Sequence, residues 1–131
     1  MGKRRLALVT VVVADYDTAI AFYTGKLGFD LMEDTELGAG KRWVVVAPGG
    51  ASAGLLLAGA ADDMQRSRIG NQTGGRVGFF LETDDFARDH QAMLAAGVEF
   101  KEEPRREPYG TVAVFSDLYG NLFDLIEPCR P

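Results

Sequence analysis

The chain has one cysteine, one histidine, one tryptophan and five prolines among its 131 residues. A lone cysteine excludes an internal disulfide and any cysteine-built zinc cluster. Cys129 stands between Pro128 and Arg130 and reads as a tail residue without special reactivity. A lone histidine excludes a site that draws two imidazole ligands from one chain, and only His90 could serve a Ser-His-Asp device. Basic charge is scarce too: 14 Lys and Arg stand against 19 Asp and Glu, a net charge of −5. Such a chain attracts neither nucleic-acid phosphates nor anionic membranes unless a local basic patch exists. The densest basic stretches, Lys3-Arg4-Arg5 and Arg105-Arg106, are short, and the second is flanked by Glu102, Glu103 and Glu107. No apolar run approaches the ~20 residues of a membrane span. The longest, Leu6 to Val13, passes straight into Asp15-Tyr16-Asp17 with no small-residue cleavage site, so no signal peptide is expected. These absences predict a soluble cytoplasmic protein with neither nucleic acid nor membrane as partner.

What remains is rich in apolar residues, at 47%, with eight Phe and four Tyr, enough for a sizeable core in a single domain over 1–131. Two similar halves share that length. In the first, about 5–58, the β-branched run Leu6 to Val13 predicts a buried strand. Asp15 or Asp17 offers a helix cap, Ala19, Ile20, Phe22, Tyr23 and Leu27 make an apolar helix face, and Gly28 stops it. Phe29–Met32, Lys41–Ala47 and Gly54–Ala58 predict three further strands. In the second half, about 76–128, Arg76–Glu82 is a strand, Asp84-Asp85 a cap, and Phe86 to Leu94 a helix ended by Gly97. Val98–Phe100, Thr111–Phe115 and Leu122–Glu127 follow as strands. Setting Asp15 on Asp85 superposes strand on strand and helix on helix. Each half is a βαβββ unit, and the pair predicts an α+β domain with helices outside and a curved mixed sheet inside. Residues 59–75 are the linker; its turn of Asp62 to Arg68 carries Arg66 and Arg68, which either close over a binding cup to hold an anionic ligand or form a solvated face.

The series Asp15…Ala21-Phe22-Tyr23…Leu27-Gly28-Phe29 resembles the "D…FY…LGF" signature of the vicinal-oxygen-chelate superfamily, which includes glyoxalase I, bleomycin-resistance proteins, fosfomycin-resistance enzymes and extradiol dioxygenases. Asp117-Leu118-Tyr119-Gly120-Asn121…Asp124-Leu125 resembles its "DP.GN…EL" ending, with Leu118 in place of the usual proline, and Gly97-Val98-Glu99-Phe100 its "GV.F". The ordered set covers essentially the whole chain. The resemblance implies paired βαβββ modules, a U-shaped sheet cupping a small molecule, and a homodimer.

The resemblance also implies where a metal would sit. In metal-using members four ligands enter the cup from four strands, the first of them seven residues before the capping aspartate. Here that position is Leu8, and its counterpart in the second half is Gly78. The last strand of each half aligns Leu56 and Asp124 with the other two. One carboxylate cannot hold a divalent ion that needs several N or O ligands at ~2.0–2.2 Å. Neighbouring Ala7, Val9, Leu55, Leu57, Val77 and Phe79 would not rescue the site after a one-residue slip. No cofactor is therefore expected, and a divalent metal remains the minor alternative.

With Leu8, Leu56, Gly78 and Asp124 facing inward, the period of two along a strand adds Thr10, Val12, Gly54, Ala58, Phe80, Glu82, Leu122 and Ile126 to the cup. Val9, Val11, Val13, Phe79, Leu81, Phe123 and Leu125 would then pack under the helices. Gly78 would open space in the wall. Trp43 and Tyr109 could present rings to a planar or cationic ligand, or pack within the sheet and turn. Asp124 is read either as a ligand contact or as a remnant bonded to Thr10 or a backbone amide, and Glu82 as a cup acid or a solvated strand end. His90 is expected on a half-buried helix face. The functional expectation is a small-molecule binder of the bleomycin-resistance type, metal-free and without the glyoxalase reaction, with antibiotic resistance as one role. The alternative is an enzyme, glyoxalase-like or dioxygenase-like, using a metal or acid–base work by Asp124 or Glu82.

Overall fold

Contacts divide the computed structural model, which describes residues 2–49 and 52–129, into two units, Met1–Ile69 and Gly70–Pro131. The boundary lies inside the segment 59–75.

The first unit contains β1 (Leu8–Val13), α1 (Tyr16–Ala21), β2 (Asp30–Gly38), β3 (Lys41–Ala47), β4 (Gly54–Gly59) and the short α2 (Asp63–Arg66). Its sheet runs β1-β4-β3-β2, with β1 parallel to β4 and the remaining pairs antiparallel. Asp15 starts α1: its Oδ2 accepts the backbone N–H of Thr18 at 2.8 Å, which satisfies one of the helix's free donors. The helix does not continue regularly to Gly28. Residues Phe22–Lys26 form a π-helical turn, and only then does Gly28, at φ 72°, leave the helix. The wider turn lets two sequence neighbours, Phe22 and Tyr23, both enter the core, edge to face at 5.4 Å. Beneath them lie Val11, Val13, Val44, Val46 and Leu57, all fully buried. β2 extends to Gly38, well past the expected Met32.

The second unit contains β5 (Val77–Glu82), α3 (Phe86–Ala95), β6 (Glu99–Phe100), β7 (Arg105–Glu107), β8 (Gly110–Ser116) and β9 (Leu122–Pro128). Its sheet runs β5-β9-β8-β6, with β5 parallel to β9, and β7 pairs with β8 beside β6. β7 was not anticipated, because Arg105-Arg106-Glu107 sits between two prolines and has no apolar member. Tertiary pairing overrides local preference there. Asp85 caps α3 through Arg88 N–H, and Glu127 of β9 accepts the N–H of Phe86 at 2.7 Å, which ties the helix start to the sheet. The core is a ladder of rings: Phe86 stacks on His90, His90 meets Phe100 edge-on at 4.5 Å, and Phe100, Phe115, Phe123 and Phe79 follow. His90 is thus a half-buried packing residue on the helix face, as expected.

The Asp117-to-Asn121 motif is a turn lock. Buried Asp117 accepts the N–H groups of Tyr119 and Asn121 at 2.9 Å through Oδ1, and the Asn121 amide at 2.8 Å through Oδ2. Thus the turn leading into β9 has its donors satisfied by one side chain.

The strands are two-faced in both units. Leu55, Leu57, Phe123 and Leu125 are buried, while Leu56, Asp124 and Ile126 stay half-buried on the other side. Val9 departs from the expected pattern. It is 37% exposed, because it lies near the start of β1, an edge strand flanked on one side only.

Candidate functional site

Register places the sequence-derived cup residues on two separate sheet faces, one in each unit. In the first unit Thr10 pairs with Leu56 and Leu56 with Val45, while Leu8 pairs with Gly54, so Leu8, Thr10, Leu56 and Val45 share the face opposite the helix. Trp43, two residues before Val45, stands on the same face and is 38% exposed.

A cleft of about 530 Å³ opens on this face. Leu8, Met32, Trp43, Val45, Ala47 and Gly54 form its apolar walls and floor, and Arg5, Glu33 and Ser52 contribute the polar groups. Met32, Glu33 and Arg5 were missed by sequence reasoning. The first two reach the cleft through a β-bulge. Leu31 pairs with Val46 and Glu33 with Val45, so two residues of β2 oppose one step of β3 and both Met32 and Glu33 turn toward the cleft. No pattern of apolar residues announces such a bulge. Glu33 accepts a hydrogen bond from the hydroxyl of Thr35 at 3.0 Å. Gly54 is a tight floor: a Cβ there would lie 3.0 Å from Val45 Cγ1 and 3.2 Å from Leu8 Cδ2.

In the second unit Phe80 pairs with Asp124 and Asp124 with Val114, while Glu82 pairs with Ile126. Phe80 is 68% exposed, Glu82 is exposed, and Asp124 is half-buried. Gly78 does not open space. It sits at the register shift between Val77 and Phe79, and a Cβ there would come within 2.8 Å of the Thr73 methyl, which fills the place. The second reading of Asp124, as a bonded remnant, also fails at one oxygen: Oδ1 is buried without a hydrogen-bond partner. Burial pushes the Asp124 carboxyl above its ordinary value; Arg105 pulls it down and Glu102 pushes it up.

Arg105 and Glu102 were likewise not foreseen. Glu102 Oε2 accepts the backbone N–H of Val114 at 3.0 Å and Arg105 Nε at 3.0 Å, and Arg105 Nη1 donates to Glu107 at 2.7 Å. The guanidinium is thus committed to glutamates and Tyr109, and its pKa rises accordingly. Tyr109 lies in the turn between β7 and β8 and is 52% exposed.

Among the described residues no group of three or more His, Cys, Asp or Glu side chains could hold a metal ion. Leu8, Leu56 and Gly78 offer no donor atom, and the four positions together present one carboxylate, so they do not fit a divalent ion. Among the described residues no helix is long and apolar enough to cross a membrane.

The fold and the sequence together define the class. Residues 5–125 match the Glyoxalase/Bleomycin resistance protein/Dioxygenase superfamily, and the chain belongs to it. An uncharacterized protein of Shewanella frigidimarina (strain NCIMB 400) is 53% identical over 95% of this chain and 94% of its own. The solved structure of UcmS2 is 32% identical, with a TM-score of 0.83 over 95% of this chain and 98% of its own. That of TnmS3, described as an antibiotic binding protein from Streptomyces sp. CB03234, is 33% identical, with a TM-score of 0.80 over 98% of this chain and 99% of its own.

Proposed function

We propose that this protein binds a small, partly apolar, aromatic molecule, with an antibiotic as the favoured class, and does so without a metal and without the glyoxalase reaction. The observation that carries this reading is the cleft beside Trp43: about 530 Å³, apolar walls, and a few polar groups at its edges. That size and that mixture of apolar surface with sparse polar groups suit a drug-sized ligand. Similarity to TnmS3, an antibiotic binding protein, supports the ligand class. The donor-poor ligand positions support the metal-free part. We also read the protein as a cytoplasmic homodimer, on the resemblance to bleomycin-resistance proteins; sedimentation velocity tests the stoichiometry.

Trp43 is the chain's single tryptophan, so its fluorescence reports on the cleft alone. Bleomycin-like glycopeptides, quinones and aromatic cations are titrated while Trp43 emission and thermal stability are followed. A binder held at 100 times its Kd adds about 2.7 kcal/mol of stability and quenches Trp43. A set of ligands that leaves both readouts flat would defeat the proposal.

A second reading, acid–base catalysis by Asp124 with Glu82, draws on the raised Asp124 carboxyl, since burial moves it toward the range a general acid needs. Turnover of a glutathione hemithioacetal that is abolished in Asp124→Asn would establish it.

A further inference from the structure

We infer that the ligand of the Trp43 cleft is a flat aromatic molecule carrying a carboxylate or similar anionic acceptor, which Arg5 binds at the end of the cleft remote from the indole. This rests on the small-molecule reading above and adds the ligand's charge and orientation to it.

Register lays out the cleft lengthwise. Trp43 pairs with Thr35 and Val45 with Glu33, while Leu8 pairs with Gly54; Arg5 precedes Leu8 in the chain and Ser52 precedes Gly54, so both stand beyond that step. Trp43 and Ala47 both line the cleft and are four residues apart on β3, about 13 Å at the strand rise. The indole therefore marks one end and Arg5 with Ser52 the other, with Met32 and Glu33 between them near the level of Val45. A span of that length accommodates a three-ring plane with a substituent.

The two charges in the cleft are not equivalent. Glu33 already accepts the Thr35 hydroxyl. Arg5 is exposed and makes no ion pair or hydrogen bond among the described residues. A guanidinium presents a planar fork of donors suited to a carboxylate. At the other end the indole face offers stacking to an aromatic plane, and midway along the cleft the Met32 thioether offers sulfur contacts to it. The chain's net charge of −5 opposes an anion only at long range. At physiological salt that repulsion is screened beyond ~8 Å, so the charges that matter are those lining the cleft, and Arg5 is the positive one beside the end remote from the indole.

The test uses the full chain and three probes of one shape: anthraquinone-2-carboxylate, the neutral anthraquinone-2-carboxamide, and the cationic 2-(aminomethyl)anthraquinone, titrated by calorimetry. The carboxylate is expected to bind at least tenfold more tightly than the amide. Arg5→Gln should erase that preference while leaving the melting temperature unchanged, since Arg5 lies ahead of β1 in no regular element. Trp43→Ala should weaken all three probes alike. The inference is overturned if the cationic probe binds best, if no probe binds, or if Arg5→Gln leaves the preference intact. These outcomes are separable from failure of the binding reading itself: other compounds that quench Trp43 without regard to charge would sink only this inference.

Discussion

Asp124 is the residue at which the second sheet works against its own stability. One carboxylate oxygen is buried without a partner, and the nearby guanidinium of Arg105 is occupied by Glu102 and Glu107. An unsatisfied buried acceptor costs about 1–3 kcal/mol, and here the low end applies because the residue keeps part of its solvent contact. Asp124→Asn removes the desolvated charge at nearly constant shape and should therefore stabilise the unliganded protein at neutral pH, measured by urea denaturation. The sign with pH follows from the raised carboxyl. Below its ordinary 3.8 the group is protonated in both folded and unfolded chains, and the substitution changes little. As pH rises, the unfolded chain ionises first and the wild type loses stability, so the advantage of Asn grows and then levels off above the folded value. An advantage that shrinks toward neutral pH would contradict this account.

At the scale of elements, small polar devices hold the strands and helices in place. Asp117 fastens the turn into β9 with three hydrogen bonds from a nearly fully buried position, and Asp117→Ala should cost about 2–4 kcal/mol in chemical denaturation. Arg42 joins α1 to the β2–β3 hairpin: its guanidinium bonds Asp34 at 2.7 Å and Asp17 at 2.9 Å and lies over the Tyr16 ring at 5.2 Å. The arginine holds the Asp34 carboxyl below its ordinary range. Arg42→Met should lower the melting temperature modestly, and less so in 1 M salt, where the ion pairs of the parent are themselves screened. Equal losses at both salt concentrations would place the effect in packing instead. The bulge at Met32 and Glu33 belongs to the same scale, because one inserted residue turns an edge strand into the wall of the cleft.

For the whole molecule the decisive expectation concerns metals. Titration with Ni²⁺, Zn²⁺ or Mn²⁺ should leave the melting temperature unchanged, since a bound ion would stabilise the folded chain by mass action. A stoichiometric rise in stability would mean that donors outside Leu8, Leu56, Gly78 and Asp124 assemble a site.

The order of strands and helices was legible because apolar runs, capping aspartates and stopping glycines act locally: Asp15, Gly28, Asp85 and Gly97 each do their work within one turn of the helix they bound. The two-faced character of β4 and β9 was equally legible, because side chains alternate along a strand whatever the strand pairs with. Register, bulges and ion-pair choice are non-local. Only tertiary structure brought Arg5 to the end of a cleft whose far wall is Trp43, turned Met32 and Glu33 inward together, closed the space at Gly78 with Thr73, and spent Arg105 on two glutamates while leaving an oxygen of Asp124 without a partner. Each of these depends on which residues of distant strands come face to face, a relation that chain order does not contain.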